Sequence, residues 1–198
     1  MTRRALSVMV VVAVIGGVRT ASAVDIEGKW GIGAGLFTGG GEASLIRGHS
    51  NRTAYVFDVR ASGATDGESI RLSGLPAVGG NSNQWLVGAG PTLRHFMRPE
   101  ADLSPYGDVF VTGTYSHRHD STGPRNVHQW AVSTGVAFGV EYFTRWHCSV
   151  AAHSGLFRVT YADLKEDIGT APGLESVTDT RWSFDLGISP MLFARVYF

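Results

Sequence analysis

The sequence predicts an all-β fold, an eight-stranded antiparallel up-and-down transmembrane β-barrel, and three observations carry that prediction. Apolar residues recur at every second position through the last segment of the chain. The same alternation returns in four earlier segments, 53–62, 84–97, 105–116 and 128–142, and three further segments complete a set of eight. The connectors between segments are alternately short and long, as in barrels that cross a membrane.

The chain opens on a different pattern. Arg3 and Arg4 precede an apolar run from Ala5 to about Val18, and Ala21-Ser22-Ala23 forms a small-x-small site. This is the layout of a cleaved signal peptide, and the run is short of the roughly 20 residues that span a bilayer as a helix. The leader is therefore residues 1–23 and the barrel residues 24–198. No Cys follows the cleavage site, which disfavours a lipoprotein. Removing Arg3, Arg4 and Arg19 turns 17 basic against 17 acidic residues into 14 against 17, a net charge of −3. Such a balance supplies no basic stripe, so nucleic-acid binding is set aside. The single Cys148 excludes an internal disulfide framework.

The first strand is GKWGIGAGLF (28–37), and the second, about 42–48, follows Thr38-Gly39-Gly40-Gly41. In 53–62, Tyr55, Phe57 and Val59 share one face and Asp58 and Arg60 the other. In 84–97, Trp85, Val87, Ala89 and Leu93 oppose Gln84, Gly88, Thr92 and Arg94. Segment 105–116 sets Val109, Val111 and Tyr115 against Asp108, Thr112 and Thr114. Segment 128–142 sets Trp130, Val132, Thr134, Val136, Phe138 and Val140 against Gln129, Ser133, Gly135, Gly139 and Glu141. In 148–162 the parity changes, with Val150 and Ala152 on one phase and Phe157, Val159 and Tyr161 on the other, which predicts a bulge near His153 to Gly155. The last strand places Trp182, Phe184, Leu186, Ile188, Leu192, Val196 and Phe198 opposite Arg181, Ser183, Asp185, Gly187 and Arg195. Pro190 is kept inside it as a local distortion, since a break there would make nine strands. A period of two with one apolar and one polar face fits lipid outside and a polar lumen inside.

With the amino end in the periplasm, the turns near 48–52, 98–104 and 142–147 are periplasmic. The connections 38–41, 63–83, 117–127 and 163–179 are extracellular. An even strand count returns both termini to one side.

Over the whole mature region the chain resembles the eight-stranded bacterial outer-membrane barrels, the OmpA-transmembrane-domain and OmpX-like group. The opening GKWGIGAGL, the eight-segment layout and the ending FARVYF carry the likeness. The resemblance implies a bacterial outer-membrane location, a monomer among outer-membrane lipids and lipopolysaccharide, and recognition by the barrel-assembly machinery through Phe198 with Ala194 and Val196. No motif names a subfamily.

The inward parity collects Asp58, Asp108, Glu141 and Asp185 with Arg60, Arg94, Arg158 and Arg195. An eight-stranded interior is just wide enough to be filled by side chains, so these charges are expected to pair in a plugged lumen rather than line a pore. Trp30, Trp85, Trp130, Trp182, Tyr55, Tyr106, Tyr142, Tyr161 and Tyr197 are expected to form interfacial girdles. His117, His119 and His128, with Asp120, could hold a transition metal, but solvated loop histidines are the commoner case. Cys148 reads as a small apolar residue at a strand start. His147-Cys148-Ser149 with Glu141 is the nearest match to a lipid A-modifying enzyme, and it falls at the periplasmic end, away from lipopolysaccharide. A secreted lipocalin-like barrel would reverse the faces. The expected function is a structural or surface-interaction barrel, not an enzyme, with no catalytic, cofactor or metal site assigned.

Overall fold

The computed structural model describes residues 25–37, 40–70, 78–120, 125–144, 146–168 and 176–198. The expected leader lies outside the described residues. The strands are β1 (Trp30–Phe37), β2 (Gly40–Ser50), β3 (Thr53–Ile70), β4 (Val78–Phe96), β5 (Leu103–Asp120), β6 (Arg125–Phe143), β7 (Cys148–Ile168) and β8 (Val177–Tyr197). Each pairs antiparallel with its successor and β1 pairs with β8, so the sheet closes in sequence order as a barrel. Trp30 and Phe198 fasten the seam, each backbone N–H donating to the other's carbonyl at 3.0 and 2.8 Å.

Period-two alternation becomes period-two exposure. Tyr55, Phe57, Val59, Trp85, Val109, Val136 and Phe138 are exposed on the outside, while Val56, Thr92, Arg94, Asp108, Ser133 and Glu141 are buried in the lumen. The bulge expected in 148–162 is present. Register shifts fall between Gly155 and Phe157 on β7 and between Val136 and Ala137 on β6. Leu156 is the extra residue, so Val150, Ala152, Phe157 and Tyr161 all face outward despite their opposite parity. β8 runs unbroken through Pro190, which stands opposite Ser154. The β1–β8 ladder stops at Leu192, so on that side Pro190 forfeits no hydrogen bond, as an edge proline requires.

Three connections expected as long loops are mostly strand. The β3–β4 ladder continues to Ile70↔Val78, β5–β6 to Asp120↔Arg125 and β7–β8 to Glu166↔Val177. Outside an apolar phase a ladder needs only its backbone partners, and polar hairpins carry no apolar alternation to announce it. Only the two residues 38 and 39 separate β1 from β2. At the end holding the termini the turns are closed by backbone bonds, Met97 N–H donating to Pro105 O and Thr144 N–H to Cys148 O, both at 2.8 Å.

That end of the lumen is closed by an apolar cluster of Ile26, Ile46, Val56, Phe96, Tyr106, Phe143, Phe193 and Tyr197. Close approach sets two of the glycines. A Cβ at Gly139 would run into the Tyr106 ring, and one at Gly35 into the Phe193 ring.

Candidate functional site

Directly above the apolar cluster lies the lumen's charge network, built by β4, β5, β6 and β8. Arg94 forks onto Asp108, Nε to Oδ1 at 3.0 Å and Nη2 to Oδ2 at 2.8 Å, and its Nη1 donates to Glu141 Oε2 at 3.2 Å. Arg195 Nη1 reaches the same Oε2 at 2.8 Å. The other carboxylate oxygen of Glu141 accepts the Tyr197 hydroxyl at 2.7 Å and the Ser149 hydroxyl. Glu141 thus has four donors and no exposure, which is how a buried carboxylate offsets its lost hydration. The Arg94 guanidinium also lies 3.9 Å over the Tyr106 ring.

The remaining four expected lumen charges are placed differently. Asp58 accepts the Thr92 hydroxyl at 2.9 Å, Arg60 Nη2 donates to Thr112 at 3.0 Å, Arg158 lies 5.7 Å over the Phe110 ring, and Asp185 is exposed on β8. Among the described residues none of these four is in an ion pair, so the four-to-four balance is realised as two paired acids and bases and two unpaired of each. Arg158 and Asp185 are register partners on β7 and β8 but do not form a salt bridge. Two further lumen groups lie outside the expected set. Glu42 joins Asp58 and Arg60 around a small interior cavity of about 40 Å³. His153 turns inward below the bulge, its Nδ1 3.5 Å from both Asp108 Oδ2 and the Tyr106 hydroxyl. Inward parity on the second and seventh strands is the sequence signal for both.

No family model matches the chain, and no curated protein does. Among solved structures, the chain is similar to a major outer membrane protein from Thermus thermophilus, with 13% identity, 86% of this chain and 98% of that one covered, and a TM-score of 0.50. That likeness shows the fold. Acinetobacter baumannii CarO2 matches at 9% identity over 88% of this chain and 100% of that one, with a TM-score of 0.41.

On the outer face, Trp30, Trp85, Trp130, Trp182, Tyr55 and Tyr161 are exposed as girdle residues should be, and Tyr142 is partly so. Tyr106 and Tyr197 are not girdle residues. Both are buried in the lumen, because their parity follows Asp108 and Arg195. The histidines are not in a loop. His117 and His119 sit on β5 and His128 on β6, all on the outward phase, and Asp120 is the last residue of β5. The ladder sets His117 beside His128, with Nδ1 atoms 3.3 Å apart. Tyr115 bonds His128 at 2.7 Å, and His119 bonds Asn126 at 2.8 Å. Trp85, Tyr115 and Trp130 adjoin the pair, so the imidazoles extend an aromatic patch.

The residues of the enzyme alternative separate. His147 is exposed in the β6–β7 turn with a positive φ of 58°. Ser149 is buried and bonded to Glu141. Among the described residues no hydrogen bond joins His147 to Ser149. Cys148 is a free, partly exposed thiol whose Sγ lies 3.5 Å from Trp146 O.

Proposed function

We propose that this chain is a bacterial outer-membrane β-barrel protein with a structural or surface-interaction role. Its outer apolar belt is the single observation that carries the reading. Bulky apolar side chains stand exposed on successive strands while charged and hydroxyl side chains are buried inside. A water-soluble barrel would be penalised for that arrangement, whereas hydrocarbon favours it. It also weighs against a secreted lipocalin-like barrel, which carries its apolar residues inside.

In this reading residues 1–23 are a cleaved leader and both termini lie in the periplasm. The barrel-assembly machinery recognises the final strand through Phe198. The long hairpins β3–β4, β5–β6 and β7–β8 rise from the outer leaflet as the contact surface, beside lipopolysaccharide. The protein is a monomer and not an enzyme. The lumen does not conduct, because the apolar cluster and the Glu141 network fill its periplasmic half.

Single-Cys labelling in a Cys148→Ser background tests the reading. Positions 186 and 136 react with a lipid-phase probe and 183 and 133 do not. The reverse pattern abandons the membrane assignment. A heat-modifiability gel on the fractionated protein checks folding and location together.

A further inference from the structure

Among the described residues, the wall of this barrel closes only over its lower part. β1 ends at Phe37 and pairs β8 only over Gly31–Leu36 against Leu192–Tyr197, while β2 pairs β3 only as far as Gly40↔Ser62. β3 nevertheless runs on to Ile70, and β8 begins at Val177. Above the β1–β2 hairpin, residues 177–190 of β8 and 63–70 of β3 therefore have, among the described residues, a neighbour on one side only. The free stretch of β8 is roughly 45 Å of strand, and the two residues joining β1 to β2 reach at most about 7 Å.

This notch opens onto the apolar belt. Phe184, Leu186 and Ile188 are 71, 86 and 79% exposed, against 55 and 41% for Val109 and Val136 on strands flanked on both sides. Unpaired backbone along the two edges cannot face hydrocarbon unsatisfied, so a polar phase has to meet the bilayer here.

At the notch lies a pocket of about 560 Å³, open to the outside, a size that suits a ligand group. Leu156, Phe157, Phe184 and Leu186 form its outer end, and Arg158, Asp185 and Phe110 its inner end. It shares Phe110, Gly155 and Arg158 with the interior cavity lined by Glu42, Asp58 and Arg60. Among the described residues these five charged groups have no ion pair, and Arg60 Nε is buried with no acceptor. From the bilayer inward the order is apolar wall, then an arginine with Asp185 beside it, then two carboxyl groups with a second arginine.

A zwitterionic phospholipid has the same order of chain, phosphate and ammonium. We propose that the notch is a lateral port holding the head of such a lipid. Its phosphate meets Arg158 and Arg60, its ammonium meets Glu42 and Asp58, and its chains stay against Phe184 and Leu186. The proposal rests on the membrane-barrel reading.

The test uses benzophenone attached to single cysteines in the Cys148→Ser protein, refolded in vesicles of equal phosphatidylethanolamine and phosphatidylglycerol, with adducts read by mass spectrometry. Gly187→Cys lies on the inward phase at the notch, where a side chain would touch nothing within 4 Å. Ser116→Cys lies on the inward phase of β5, in a polar pocket lined by Gln84, Arg118, Gln129 and Arg181, and Val136→Cys on the closed lipid face. Position 187 is expected to capture phosphatidylethanolamine at least threefold over phosphatidylglycerol, 136 both lipids equally, and 116 neither. Arg158→Gln with Arg60→Gln, accepted only if heat-modifiable, removes the preference at 187 and leaves 136 unchanged. If that variant fails to fold, the headgroup ratio at 187 in the arginine-intact protein decides alone. Equal capture of both lipids at 187, no lipid there, or a cross-link to a second copy bridging the β3 and β8 edges overturns the proposal. Absence of lipid adducts at 136 instead overturns the membrane reading.

Discussion

The Tyr197 hydroxyl donates to Glu141 Oε1 at 2.7 Å, tying the end of β8 to β6 across the lumen. Arg94 and Arg195 close on the other carboxylate oxygen, so one glutamate neutralises groups from two other strands. Glu141→Ala leaves both guanidinium groups buried with one anion, Asp108, between them. Breaking a buried pair costs about 3 to 5 kcal/mol. Tyr197→Phe keeps the ring on Phe143 and removes one hydrogen bond, about 1 to 3 kcal/mol. Urea unfolding in lipid vesicles measures both. A Glu141→Ala protein as stable as Tyr197→Phe would mean that the network does not hold the lumen together.

Phe198 serves through backbone and side chain separately. Its N–H and carbonyl both bond Trp30, and its ring is exposed on the outward face. Deleting it removes seam and ring, whereas Phe198→Lys keeps the seam and changes only the side chain. If the apolar terminus is the assembly signal, both variants lower outer-membrane levels several-fold. If the seam matters instead, only the deletion does, and quantitative blotting of the membrane fraction separates the two.

The faces of the barrel are legible in the sequence because strand parity is a local property: Val109, Val136 and Phe157 sit on the outside as their spacing dictates, and the bulge at Leu156 shows itself as a parity change. The inward set is legible for the same reason, but its pairing is not. Arg94 meets Asp108 and Glu141 because of register and lumen curvature, neither of which is written in one strand. Tyr106 and Tyr197 are misplaced by residue type even though their parity is correct. The notch is hidden from the sequence because it arises from unequal strand lengths: the alternation of Trp182, Phe184, Leu186 and Ile188 marks β8 as a strand but does not say that β1 stops short of it.

The buried position of Ser149 and the exposed turn position of His147 give the enzyme alternative a direct check. Ser149→Ala and His147→Ala are expected to leave the lipid A mass spectrum of expressing cells unchanged. A modified species present with the unaltered protein and lost in either variant would reverse the non-enzymatic reading. Ser149→Ala also removes one of the four donors to Glu141, so its folded fraction is compared with that of Tyr197→Phe.

Residues 135, 136 and 139 put both faces of β6 to the test within a single strand. Val136 points outward between Val109 and Phe157, its register partners on β5 and β7. An arginine there meets hydrocarbon in the membrane reading, at about 2 to 4 kcal/mol near the midplane. Gly139 points inward against the Tyr106 ring, and Gly135 against the Phe157 carbonyl and the Phe110 ring. Even a methyl group overfills these sites, and overpacking costs about 1 to 3 kcal/mol. Gly187, inward on β8, meets nothing, so Gly187→Ala is expected to be near neutral although the residue shares the lumen parity. The ordering to be measured by urea unfolding in vesicles is therefore Val136→Arg and Gly139→Ala both destabilised, Gly187→Ala unchanged. Repeating Val136→Arg in bilayers of shorter chain length distinguishes the mechanisms. A thinner hydrocarbon core eases the arginine's path to the interface and reduces its cost, while the Gly139→Ala cost, set by side-chain collision, stays the same. A Val136→Arg penalty independent of bilayer thickness would indicate that residue 136 is buried against protein and not lipid.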